Sequence, residues 1–291
     1  MGIICNRSKL WSDLNEHIIE EQAGFRSGYS TIDNIFILCS IIMKYLSKKK
    51  GVLYCAFIDF SKAFDGINRL KLFYILLIKH LHGRMIKLLQ NIYGNIKAKV
   101  KTTDGLSETF TCNSGVRKGC TLSPWLFAMY INELAIEIGK SIGNGIFIHE
   151  NFQNVMLLLF ADDLALIADT PIHLQRRLNS LEKYCEKLNM TVNMDKSNIV
   201  VFKNGGELSK NEEWYFNNEL LKVVSYYKYL GIYFSNRLKW TCCCKTLRMQ
   251  CEKALNMIKH CMCKLGTRDI NLGFKLFDSM VAPILYYGAE L

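Results

Sequence analysis

The chain of 291 residues is half hydrophobic with only 3 prolines, which excludes a disordered or low-complexity polymer and leaves room for one large domain or two modest ones. Its 37 lysines and arginines outnumber 26 acidic residues, and the net charge of +11 favours an anionic partner, of which nucleic acid is the commonest. Twelve cysteines at irregular spacings exclude a secreted disulfide framework and point to a reducing, intracellular setting.

No signal peptide opens the chain. Apolar residues at 32, 35, 36, 39, 42, 43 and 46 follow the 3.6-residue period and predict a helix capped by Thr31. Its apolar run, Ile35 to Met43, is far below the roughly 20 residues of a membrane span, so no membrane partner is expected. Lys48, Lys49, Lys50 and Gly51 then turn the chain into an apolar segment, Val52 to Phe60, that carries Asp59 near its end. Helical patterns follow over 69–81 and 83–93. From Ile96 to Thr102 the residues alternate, apolar at 96, 98 and 100 and lysine at Lys97, Lys99 and Lys101, predicting a strand with one basic face. Asp104-Gly105 marks a hairpin turn and Leu106 to Cys112 returns. Two readings of the lysines stand: contacts along a phosphate backbone, or a solvated edge protected by charge.

The glycine-bounded basic loop from Gly115 to Gly119 follows, then Ser123 as a cap and Pro124 in the first turn of a helix through about Ile138. Backbone amides at that helix start, beside Arg117, Lys118 and Gly119, suit a nucleotide or phosphate. Val155 to Asp169, VMLLLFADDLALIAD, holds two short apolar runs flanking Asp162 and Asp163, so the pair sits at the turn of a mostly buried hairpin. An ionised carboxylate left unpartnered there costs on the order of several kcal/mol, so it is hydrogen-bonded, protonated or bound to a cation. With Asp59 arriving across a sheet, the three acids form an oxygen cage of the kind hard divalent ions such as Mg2+ select. A capped turn beside a surface acid is the plainer alternative.

Thr170 and Pro171 start a helix whose Leu174, Leu178, Leu181, Cys185 and Leu188 share a face. Short strands are expected at Ile199–Phe202 and Tyr229–Phe234, separated by a polar stretch with Gly205-Gly206 and a loop near Asn217-Asn218. From Lys245 the pattern is helical only, with one apolar stripe from Leu247 to Leu265 and a further helix over about 271–281. Cys242, Cys243, Cys244, Cys251, His260, Cys261 and Cys263 raise the question of zinc, but no C-x-x-C pair is answered by a second ligand pair, so none is expected. The chain stops at Leu291 straight after an apolar segment, as a cut chain would.

Six blocks lie in order: QAGFRSGYSTIDNI at 22–35, FIDFSKAFDGIN at 57–68, GVRKGCTLSPWLF at 115–127, FADD at 160–163, LNMTVNMDKS at 188–197 and YKYLGIYFS at 227–235. With them nearly the whole chain resembles the reverse transcriptase of a non-LTR, LINE-type retrotransposon. The resemblance implies an α+β, right-hand polymerase fold truncated at both ends. Residues 1–50 would be partial fingers, 51–235 a palm of antiparallel strands and helices with a fingers hairpin at about 94–119, and 236–291 a partial helical thumb. It implies RNA-directed DNA polymerase activity on an RNA template and a DNA primer with dNTPs, with no statement about oligomeric state. Asp59 and Asp162 would hold two Mg2+ ions (Mn2+ as the alternative) with Asp163 adjoining, for in-line nucleotidyl transfer. Phe64 would be a steric gate against ribose, with ordinary core as its other reading. Lys196 would protonate or neutralise the leaving pyrophosphate, or be a surface lysine. Tyr229, Leu230 and Gly231 would grip the primer end. Two departures stand out: Lys118 where the family usually has glutamine, and little sequence before the QAGFR block. The competing readings are a catalytically inactive nucleic-acid-binding remnant, and an RNA-dependent RNA polymerase, since Asp65 follows the first acid as a second acid does there.

Overall fold

In the computed structural model the described residues are 1–103, 105–140, 145–146, 155–206, 212–267 and 269–291. Chain order gives α1 (Gly2–Leu14), α2 (Thr31–Leu46), β1 (Val52–Asp59), α3 (Arg69–Ile78), α4 (Gly83–Gly94), β2 (Lys97–Ala98), β3 (Lys101–Thr102), β4 (Gly105–Leu106) and β5 (Phe110–Thr111). Next are α5 (Ser123–Ile131), α6 (Glu133–Gly139), β6 (Leu157–Phe160), β7 (Asp163–Ala168), α7 (Pro171–Leu188) and β8 (Asn198–Lys203). The rest are β9 (Tyr215–Phe216), β10 (Glu219–Leu220), β11 (Lys222–Val223), β12 (Tyr226–Tyr229), β13 (Ile232–Ser235), α8 (Thr241–Lys264), α9 (Ile270–Met280) and α10 (Ala282–Tyr286).

The centre is a five-stranded sheet in the order β11-β8-β1-β7-β6, antiparallel except for the β11–β8 pair. β1 is its middle strand, which explains an apolar run without alternation: both of its faces are covered. On one face Tyr54, Ala56 and Ile58 join Leu164, Leu166, Ile199 and Val201 in a core shared with α3, α5 and α7. On the other, Leu53, Cys55 and Phe57 join Ala165, Ile167, Val200 and Phe202 under α2 and the β12–β13 hairpin. The α7 face predicted from spacing is buried at Leu174, Leu178, Leu181, Cys185 and Leu188. Each buried leucine contributes about 2 kcal/mol, whereas the Thr170 cap, accepting from the His173 amide at 3.2 Å, adds about 1 kcal/mol. Packing therefore holds this helix and the cap sets where it starts.

Several local expectations are corrected. Ser30, not Thr31, precedes α2, and its N–H donates to Asp33 Oδ2 at 2.6 Å. Ser123 is the first residue of α5 rather than its cap; its hydroxyl turns back and donates to the Arg117 carbonyl at 2.6 Å. The helix through Ile138 divides at Asn132 into α5 and α6. Tyr229–Phe234 is not one strand but the turn of the β12–β13 hairpin, because Leu230 (φ 45°) and Gly231 (φ 90°) take left-handed conformations. The residues before the QAGFR block include α1, for which no element was expected. Asp104 of the ribbon's expected turn lies outside the described residues. No helix among the described residues is long and apolar enough to cross a membrane, and all twelve cysteines are free thiols.

Candidate active site

The acids are placed by strand register. Asp59 ends β1 directly opposite Asp163, the first residue of β7, so their side chains leave the same face of the sheet. Asp162 stands in the turn between β6 and β7, after Ala161 with φ 58°. A non-glycine residue in that conformation is strained, and the surroundings hold it there. The fully buried Gln22 accepts hydrogen bonds through Oε1 from the Ala161 amide at 3.2 Å and from the Gly24 amide at 2.9 Å. Residues 21–23 run along the free edge of β6: Leu159 N–H donates to the Glu21 carbonyl, and Ala23 N–H donates to that of Leu159. Gly24 is required by contact, since a Cβ there would sit 2.2 Å from the Ala161 nitrogen.

Asp59 is fixed on its other side by the segment after α7. Its N–H donates to the buried Ser197 hydroxyl at 3.1 Å, and its carbonyl accepts from the Asn193 amide at 2.8 Å. The Lys196 ammonium stands 3.8 Å from Asp59 Oδ2. Asp59, Asp162, Lys196, Asn193, Phe64 and Lys118 line one open cavity of about 420 Å³. Asp163 is exposed as a residue, yet its carboxyl is pushed up to about 6, first by burial and then by the charges of Asp162 and Asp59. The crowding of negative charge reaches Tyr227 too, whose phenol is raised to about 12, by burial first and then by Asp163 and Asp59. Among the described residues no three of His, Cys, Asp or Glu converge closely enough to hold an ion by themselves. The arrangement is thus two acids on the cavity wall with the third beside them, rather than a closed cage.

The other expected residues are distributed as follows. Phe64 does both things the sequence left open: it lines the cavity and packs, stacking on Phe127 at 4.7 Å and meeting Phe25 edge-on at 6.2 Å. Arg117, Lys118 and Gly119 are exposed beside it, while the start of α5 is buried at Leu122 and Ser123. The loop therefore offers side chains and the Gly119 backbone, not the helix's first amides. Lys97, Lys99 and Lys101 are all exposed on the narrow ribbon of β2–β5, but Val100 is exposed as well, so the alternation does not give one buried face. Tyr229 is only 2% exposed, with its ring packed at 5.3 Å from Phe57, so its side chain is turned into the core rather than outward. The hairpin's outward residues are Tyr226 and Lys228, with Leu230 and Gly231 at its turn. Tyr227 links this hairpin to the acids by stacking on Phe57 at 4.4 Å and donating its hydroxyl to the Lys196 carbonyl at 3.3 Å.

Sequence reasoning missed Gln22, Ser197 and Arg69. Arg69 donates to four carbonyls, those of Gly115, Tyr93, Cys112 and Ser114, at 2.7 to 2.8 Å, and so ties the ribbon and the GVRKG loop to the body. Gln22 lay within a quoted block, which was the available signal.

Residues 5–234 match the family described as reverse transcriptase (RNA-dependent DNA polymerase). A transposon TX1 protein of 149 kDa from Xenopus laevis is 27% identical over 78% of this chain and 17% of its own length. A probable RNA-directed DNA polymerase from transposon BS of Drosophila melanogaster is 23% identical over 100% of this chain and 33% of its own length. The chain thus spans a third or less of the length of these relatives. Among solved structures, apo telomerase from Candida tropicalis truncated from its C-terminal domain superposes with a TM-score of 0.55 at 14% identity, covering 81% of this chain and 44% of that one. That likeness shows the right-hand polymerase fold. The relatives remove the RNA-dependent RNA polymerase alternative, which rested on Asp65. The relatives it matches come from transposons, and the chain belongs to the reverse transcriptase (RNA-dependent DNA polymerase) family.

Proposed function

We propose that this chain is the catalytic part of an RNA-directed DNA polymerase that extends a DNA primer on an RNA template with dNTPs. The observation that carries the reading is Asp59 in register with Asp163 while Asp59 and Asp162 share one open cavity. The donor set fits a hard divalent ion. Asp163 is pushed towards protonation by burial and then by the neighbouring carboxylates, a cost that a bound cation would lower, and waters with substrate phosphates would complete a shell the protein leaves open. Asp59, Asp162 and Asp163 would hold Mg2+, which when bound lowers the pKa of the primer hydroxyl and neutralises the triphosphate. Asp59 ends one strand and Asp162 stands in the turn that Gln22 braces, so their backbones would need little reorganisation for the reacting state.

Lys196, on the loop that also fixes Asp59 and in the same cavity lining, would supply a proton or a positive charge to departing pyrophosphate. Phe64 would close the floor beneath the sugar, with Arg117, Lys118 and Gly119 as the nucleotide-side wall. The ribbon lysines Lys97, Lys99 and Lys101 and the turn at Leu230 and Gly231 would follow template and primer. In this reading residues 1–50 and the ribbon serve as fingers, the sheet as palm and residues 236–291 as thumb. The test is extension of a DNA primer on an RNA template with Mg2+ and dNTPs. Incorporation that falls by at least about a thousandfold in Asp162→Ala supports the reading. Template binding without extension by the unaltered chain rejects it and leaves a non-catalytic binder.

A further inference from the structure

Lys118 of the GVRKG loop, where the resemblance implied glutamine, is held by an ion-pair partner in the structure. Its ammonium meets Asp65 Oδ2 at 2.6 Å, beside the cavity that Lys118 and Phe64 line. We propose that Lys118 and Asp65 form a charge-neutral latch on the nucleotide site. In it Lys118 is a positioning and screening residue that cancels the Asp65 carboxylate, rather than a ligand of the triphosphate. The inference rests on the polymerase reading above and goes further, to how the site admits its substrate.

Geometry supports the latch before charge does. The GVRKG loop is stitched to the Phe64 segment by two backbone bonds: Val116 N–H donates to the Phe64 carbonyl at 2.9 Å and Gly115 N–H to the Ile67 carbonyl at 2.8 Å. The contact is so close that a Cβ on Gly115 would lie 2.8 Å from the Asp65 Cα. With φ 76° as well, the position favours glycine strongly. Arg69 fastens the loop's start through the Gly115 and Ser114 carbonyls. Since the backbone is already held, the exposed ion pair at the tip adds little to stability, and its effect belongs to the electrostatics of the mouth.

The charges there make the prediction. Asp59 and Asp162 line the cavity together with Lys62, Lys118 and Lys196, and Asp65, outside the lining but 2.6 Å from the Lys118 ammonium, sets how much of that positive charge a triphosphate entering beside Lys118 meets. Paired with Lys118, Asp65 presents no net charge; opposite glutamine it would stand bare beside Phe64. Replacing Lys118 by glutamine therefore repels nucleotide, and removing the Asp65 charge as well relieves the repulsion. A lysine that bound the triphosphate directly would behave differently, because neutralising Asp65 would not compensate its loss.

Lys118→Gln, Lys118→Arg, Asp65→Asn and the double variant Asp65→Asn/Lys118→Gln are compared. Two readouts are taken: dNTP affinity with Mg2+ for the chain on RNA template and a DNA primer lacking its 3′-hydroxyl, which requires no turnover, and KM against kcat in extension. Lys118→Gln is expected to weaken dNTP binding and raise KM about fivefold or more with kcat within about twofold, an effect that shrinks as salt rises. Lys118→Arg, which keeps the charge, binds dNTP more tightly than Lys118→Gln, and the double variant recovers most of the loss. A double variant as weak as Lys118→Gln, or a Lys118→Gln that binds normally, overturns the latch while leaving the polymerase reading intact. An unaltered chain that binds no dNTP overturns both.

Discussion

Asp163 is where protonation and folding are coupled. Its carboxyl, ordinarily near 3.8, titrates at about 6 in the folded chain, so the folded state holds this proton more tightly than the unfolded state does. A raised acid contributes stability that is complete below the ordinary value and is lost as pH rises through the folded one. In the presence of a chelator, the urea midpoint is therefore expected to fall between about pH 4 and pH 7. Asp163→Asn flattens that dependence, and Mg2+ raises the midpoint of the unaltered chain at neutral pH. A slope that persists in Asp163→Asn would place its origin in another group. The carboxylate pair was legible in the sequence because charge interrupted two apolar runs; the upward shift was not, since it depends first on how the fold buries the carboxyl and then on Asp162 and on Asp59, which arrives from more than a hundred positions earlier in the chain.

Among the elements, those announced by apolar runs were legible: β1, β6, β7 and the buried face of α7 all follow from residues whose burial the pattern demands. The β12–β13 hairpin was misread because its alternation continues on both sides of the turn, and only the left-handed backbone at Leu230 and Gly231 reverses it. The burial of the Tyr229 ring on Phe57 was unread with it, since the residue was expected on an open strand. Arg69 was illegible for another reason: its partners are main-chain carbonyls, which carry no sequence identity. It joins the end of α4, the end of the ribbon and the start of the GVRKG loop through a planar fork. Lysine has one compact ammonium and cannot span those groups. Arg69→Lys is expected to cost about 2 to 3 kcal/mol in urea unfolding and to expose the ribbon to protease at concentrations that leave the unaltered chain whole.

Over the whole molecule, the last turns of the chain close back on its first half. The Tyr287 hydroxyl donates to the Leu230 carbonyl at 2.5 Å and lies 3.0 Å from Thr31 Oγ1, joining the helical end to both the hairpin turn and the start of α2. Tyr287→Phe keeps the ring and removes both contacts, so unfolding is expected to become easier by about 1 kcal/mol, as read by urea titration. The opposite end does something comparable for the acids. Residues 21–24 lie along β6 and hold the turn carrying Asp162 through a single glutamine oxygen and a missing side chain, across 139 positions of sequence. It follows that a shortened chain starting at Phe25 would keep Asp59, Asp162 and Asp163 and still lose the splint behind the Asp162 turn; the scaffold of this acidic cluster begins well before its first member.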